Sequence, residues 1–176
     1  VDTMLNNEKI VRYIDMPIQH IDPVMLEIMN RHGSAEHIRR ITRYIREASH
    51  DFILRTTVML GFPGETEEQF KLLYYFLKNE PFDRVGAFVF CPEDGTKAAL
   101  MDGQIDEATA KARLDKIMRM QQTVSLELNK KRIGKEYEVL IERVDKDACY
   151  GRSYAEAPDV DGIIKINNVP VCVRPG

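Results

Sequence analysis

The stretch Arg55–Phe70, RTTVMLGFPGETEEQF, decides the fold. An apolar strand runs into a turn holding Gly61, Pro63 and Gly64, and the turn opens at once into a helix. Glycines at such a junction let backbone N–H groups and a ligand approach closely, which a Cβ would prevent. In a protein built from βα units, that junction faces the active site.

Outward from it, strands and helices alternate. Val11–Ile18 reads as a buried strand closed by Pro17. Asp22 and Pro23 are the N-cap and first turn of a short helix. Gly33 and Ser34 break that helix and start the next, in which Ile38, Ile41, Ile45 and Ala48 share a face. Ile53–Leu60 is the second strand. Thr66 and Gln69 form a capping box for a helix to about Lys78, with Phe70, Leu73, Tyr74 and Leu77 inward. Arg84–Phe90 is the third strand, followed by the loop CPEDGTKAAL. Apolar strands alternating with helices indicate a parallel sheet covered by helices, an α/β class. Asp106 caps a long helix from Glu107 to about Arg132, along which Ala110, Leu114, Ile117, Gln121, Val124 and Leu128 recur.

After Gly134 the texture changes. EYEVLIERV alternates as a strand, and turns divide YGRSYAEAPDVDGIIKINNVPVCVRPG into short strands, so residues 133–176 form a small antiparallel β module after a first domain of 1–132. Three strands are too few for a barrel and the module lacks a closing strand, so the chain is expected to be a fragment.

The 176 residues carry 44% hydrophobic and 30% charged residues and a net charge of −3, ordinary for a globular protein. That charge gives no global case for nucleic-acid binding. No apolar run is long enough for a membrane span, and VDTMLNNEKI lacks signal-peptide character. Cys91, Cys149 and Cys172 are too scattered for a disulfide framework or a metal site, which points to a reducing cytoplasm.

Each of the three strand ends carries polar groups. At the first, Gln19 with Arg31 could grip a carboxylate and hydroxyls, or simply cap a loop and a helix end. His20 reads as a surface or loop-packing residue rather than a base or ligand. At the second, the hydroxyls of Thr56 and Thr57 could meet a sugar and Phe62 a purine, or the segment could be an ordinary βα turn. At the third, Cys91 reads as a packed thiol rather than a nucleophile. In the β module, Arg152 and Tyr154 could serve RNA, yet residues 134–164 hold eight acids (Glu136, Glu138, Glu142, Asp145, Asp147, Glu156, Asp159, Asp161) against four bases. That balance suits a basic protein partner better than phosphates, or is simply an ordinary solvated surface.

YIDMPIQH, MNRHG, LRTTVMLGFPGETEEQF, VFCPEDGT and QQTVSLELNKKRIGKEYEVLIE, in this order, resemble the radical-SAM methylthiotransferases. YGRSYAEAPDVDGIIKI is most similar to the branch that methylthiolates an aspartate of ribosomal protein twelve of the small subunit. The resemblance implies the C-terminal part of a radical-SAM partial TIM barrel, then most of a TRAM module. It implies S-adenosylmethionine and two [4Fe–4S] clusters whose ligands lie outside this chain, so no metal ligand and no catalytic residue are assigned here. In such enzymes one cluster cleaves S-adenosylmethionine to a 5′-deoxyadenosyl radical, and a methylthio group is transferred to the activated carbon.

Carried over by position, Gln19 and Arg31 would meet the methionyl or ribose part of the nucleotide. Thr57 would face the ribose, and Leu60, Gly61, Phe62 and Pro63 would lie along the adenine. Cys91-Pro92 and Lys97 depart from the family pattern of Ser-Pro and proline. The implied partner is the small-subunit ribosomal protein, met through the acidic module, with tRNA as the second choice and no membrane. Two alternatives stand beside this: a tRNA (adenosine-37) methylthiotransferase and a non-catalytic ribosome-docking fragment. The fragment alone is expected to be inactive.

Overall fold

The computed structural model describes residues 1–168 and 173–176. It contains two compact units, Ile14–Lys131 and Val1–Tyr13 with Arg132–Gly176.

The first unit is built on a sheet of order β1 (Tyr13–Asp15), β2 (Ile53–Leu60), β3 (Arg84–Val89). β2 and β3 run parallel, Arg55 opposite Arg84 through Leu60 opposite Val89. Leu54, Thr56, Val58 and Leu60 are buried, whereas Arg55, Thr57 and Met59 on the other face are only half-buried. This alternation is stronger than the apolar composition of the strand suggests, because only one face of the sheet is fully packed. Thr56 is polar on the packed side, and its hydroxyl is satisfied there. It donates to the Met16 carbonyl at 2.9 Å and accepts from Ile18 N–H at 3.3 Å.

The first strand is shorter than Val11–Ile18. Pro17 has no N–H to give the ladder, so regular pairing stops at Asp15 and resumes as a single parallel bridge between Gln19 and Val58.

The helices begin where their caps dictate. The Asp22 carboxylate accepts from Val24 and Met25 N–H to start α2 (Pro23–Ile28). Ser34 caps α3 (Ala35–Ala48), and the Thr66–Gln69 capping box is complete at the start of α4 (Glu67–Asn79). Asp106 caps α5 (Glu107–Lys130). A short helix, α1 (Asp2–Leu5), precedes them all. α2 ends in a Schellman motif: Asn30 is left-handed (φ 53°), Arg31 N–H reaches Leu26 O, and Asn30 N–H reaches Glu27 O.

Inner faces depart from expectation at single positions. In α4, Phe76 is buried, and Tyr74 is half-buried against Phe70. In α3, Thr42 is buried where Ile41 is not, its hydroxyl bonded to the Ile38 carbonyl. At the lower edge of the sheet Asp83 is buried. It accepts from Arg46 at 2.7 Å and from Leu54 N–H at 2.9 Å, which anchors the start of β2 to that of β3.

The second unit holds an antiparallel sheet, β4 (Leu140–Val144), β5 (Ala148–Arg152) and β6 (Ile164–Asn167). β4 starts at Leu140 rather than in EYEV, and a bulge lies between Ile141 and Arg143. Any strand over Val169–Cys172 lies outside the described residues.

Candidate functional site

The C-terminal ends of β1, β2 and β3 lie side by side, so Gln19–Asp22, Gly61–Glu65 and Phe90–Cys91 share one edge. The ladder extends past the strands, with Gln19 N–H to Thr57 O, Met59 N–H to Gln19 O, and Phe90 N–H to Leu60 O. Gln19 adopts a left-handed conformation (φ 64°), unusual for a residue with a side chain. Among the described residues its buried Oε1 has no hydrogen-bond partner. A buried acceptor left open is what a ligand's N–H or O–H would complete.

Arg31 is exposed, and its Nη2 donates to the carbonyl of Pro17, tying the end of α2 back to β1. Thr57 lies on the half-buried face opposite Gly86, while Leu60 and Phe62 are buried. Phe62 meets Phe90 edge to face, ring centroids 5.0 Å apart.

The GFPGE turn is braced from beneath. Gly61 N–H donates to Glu65 Oε2 at 2.8 Å, Gly64 N–H to Gly103 O, and Glu65 N–H to Phe62 O. Those three donors are therefore already satisfied, and the turn does not act as an open anion nest through them. An added Cβ at Gly61 would stand 2.6 Å from the Ala110 Cβ, so the close approach that requires glycine here is made by α5.

Two residues that sequence reasoning did not single out hold this brace. Glu65 is buried, and Arg113 from α5 donates to its Oε2 at 2.6 Å and to its backbone carbonyl at 3.1 Å. His20 is fully buried on the other side of the same carboxylate. Its Nδ1 accepts from Asp22 N–H, so the ring proton sits on Nε2, 3.3 Å from Glu65 Oε1 and outside hydrogen-bond alignment. Burial pushes the Glu65 carboxyl up, but the His20 ring, the Gly61 N–H and the Arg113 guanidinium together hold it below its ordinary value. Asp22 extends the network, accepting from Gln69 Nε2 at 2.9 Å and so linking the starts of α2 and α4. A signal for Arg113 was present: it falls between Ala110 and Ile117 at i+3 and i−4, a charge within the apolar stripe of α5.

Cys91 is a free, exposed thiol, not a packed one. Among the described residues no group of three or more His, Cys, Asp or Glu side chains is arranged to hold a metal ion. No helix among them is long and apolar enough to cross a membrane.

In the second unit Arg152 donates to Glu142 at 2.7 Å, and Tyr154 packs 6.3 Å from Tyr137. Glu156 is buried, accepting from the Ser153 N–H and hydroxyl and pairing with Arg132 at 3.4 Å. Asp161 accepts from Ala157 N–H and from the Tyr13 hydroxyl, and Asp145 pairs with Arg143. Half of the eight acids thus have partners inside the unit, which reduces the open negative surface that their count implied.

Two family models match the chain: the Radical SAM superfamily over residues 1–77 and the TRAM domain over 133–173. A "Ribosomal protein uS12 methylthiotransferase RimO" from Dictyoglomus thermophilum is 48% identical over 160 residues, covering 91% of this chain and 36% of that protein. One of the same name from Alkaliphilus oremlandii is 46% identical over 164 residues, covering 92% and 37%. The chain belongs to the radical-SAM methylthiotransferase family.

It spans little more than a third of the length of these relatives. Coproporphyrinogen III oxidase (HemN) from Escherichia coli, a radical SAM enzyme, shares the fold with a TM-score of 0.56 at 18% identity, over 68% of this chain and 28% of that one. Elp3 from Methanocaldococcus infernus aligns with a TM-score of 0.50 at 14% identity, over 82% and 49%. The α/β class and the radical-SAM type of barrel expected from sequence are therefore those of the family, and the small antiparallel sheet lies in the part matched by the TRAM model.

Proposed function

We propose that this chain is the later barrel portion (1–132) and TRAM-like module (133–176) of an enzyme that adds a methylthio group to the β-carbon of an aspartate in ribosomal protein uS12. What carries the proposal is the name shared by relatives that are 46–48% identical over nine-tenths of this chain. S-adenosylmethionine, with two [4Fe–4S] clusters ligated outside this chain, would supply the hydrogen-abstracting chemistry.

The residues here would bind and orient the nucleotide. The open Gln19 Oε1 would accept from its amino or ribose donors. Arg31, already bonded to Pro17 O, would turn its remaining donors to the ligand carboxylate. Thr57 would face the ribose, and Leu60–Pro63 would line the adenine. The brace at Glu65 would keep that segment fixed as the ligand enters, and the packed Phe62–Phe90 pair would exclude water beside it. The module would dock the basic substrate protein, and the reaction would take place in the cytoplasm, where ribosomal protein is made.

Mass spectrometry of uS12 and of tRNA from a strain lacking the gene tests the substrate. Loss of the methylthio group from uS12, with tRNA unchanged, is expected. Loss from tRNA alone would replace the assignment with a tRNA-modifying one. In the full-length protein, Gln19→Ala and Arg31→Ala should each weaken S-adenosylmethionine binding about tenfold; unchanged affinity would remove those residues from the site.

A further inference from the structure

Gly86 sits in the middle of β3, in regular parallel register opposite Thr57. Its backbone is not left-handed, unlike that of Gly61 or Gly64. An added Cβ would stand 3.4 Å from Thr57 Oγ1 and 3.9 Å from both Arg55 Nη2 and Thr56 O, all ordinary contacts. Neither conformation nor packing within the chain asks for glycine here, and glycine weakens a strand interior. Gly61 differs, because there the fold itself forbids a side chain.

A mid-strand glycine with no bulge and no steric conflict marks a place where something else approaches the backbone. The gap lies on the half-buried face of the sheet, between a hydroxyl and a guanidinium. It is level with the bridge that joins Gln19 to Val58, since Val58 is the next residue after Thr57 on β2. We infer that Gly86 is a close-approach position for the sugar of the bound nucleotide, its missing Cβ leaving the Thr57 hydroxyl open to a ribose hydroxyl. This rests on the nucleotide reading given above and adds a residue to it.

The test compares the cluster-loaded full-length protein with its Gly86→Ala and Gly86→Val variants. S-adenosylmethionine affinity is read by equilibrium dialysis and folding by melting temperature. Affinity should fall about tenfold with Ala and further with Val, while the melting temperature of the Ala variant stays level or rises. If Val prevents folding, the Ala variant decides. Wild-type affinity in the variants would overturn the close-approach assignment and leave the nucleotide reading standing. A loss of affinity matched by a loss of melting temperature would overturn it too. A wild-type protein that binds no S-adenosylmethionine would refute the nucleotide reading, and this inference with it.

Discussion

The Arg113 guanidinium lies 2.6 Å from the Glu65 carboxylate, both side chains buried, and so locks α5 to the turn that follows β2. The same oxygen takes the Gly61 N–H, so one carboxylate fixes both the start of the turn and the helix behind it. Removing one partner would leave the other charge buried and alone. Arg113→Met should therefore destabilise the full-length protein by about 3–5 kcal/mol, measured by urea denaturation. Arg113→Lys should recover only part of this, because a single ammonium cannot serve both the carboxylate and the Glu65 carbonyl in the same geometry. A loss under about 1 kcal/mol for Arg113→Met would mean that the pair is not a brace.

The direction of the Glu65 shift sets a pH dependence. Its folded pKa lies below the ordinary 4.5. The ionised carboxylate thus contributes stability that is present above about 4.5 and lost as pH falls through the lower folded value. The stability gap between wild type and Glu65→Gln should hold steady from neutral pH to about 5.5 and narrow below about 4.5. Denaturant midpoints across that range check it, and a gap that widens toward acid would contradict the ionised brace.

The elements were legible where the determinants are local. Asp22-Pro23, Thr66 with Gln69, and Asp106 each place a helix start within a few residues of sequence, and each cap forms. The brace was not legible, because Glu65 and Arg113 are 48 residues apart and nothing in the sequence pairs a turn glutamate with a helix arginine. His20 illustrates the limit from the other side. Its context allowed a surface or a packed loop histidine; it is packed, and the group it packs on is the carboxylate that holds the turn. The acid count of the β module is only partly informative for a related reason: composition counts charges but not the N–H groups and arginines already bound to them.

Gly61 combines a left-handed backbone (φ 71°) with contact against Ala110. Gly61→Ala should cost about 1–2 kcal/mol for the conformation and a further 1–3 kcal/mol or so for overpacking against α5. Ala110→Gly should relieve the second cost and leave the first. A double-mutant cycle by thermal denaturation separates them: the double variant should lose less stability than the sum of the two single losses, and strict additivity would place the clash elsewhere.

Gly151 faces a harder obstacle. A Cβ there would stand 2.2 Å from the Leu140 carbonyl oxygen and 2.9 Å from Val139 Cγ1. The first is backbone of the paired strand, so it cannot rotate away as a side chain end would. Gly151→Ala must instead push β4 from β5 next to the bulge at Ile141–Arg143. The expected result is local: amide exchange in Leu140–Val144 and Ala148–Arg152 should rise by about one to two orders of magnitude, equivalent to some 1–3 kcal/mol of lost protection. Protection in β2 and β3 should not change, because they belong to the other compact unit. Exchange that rises equally in both sheets would show that the two units unfold together.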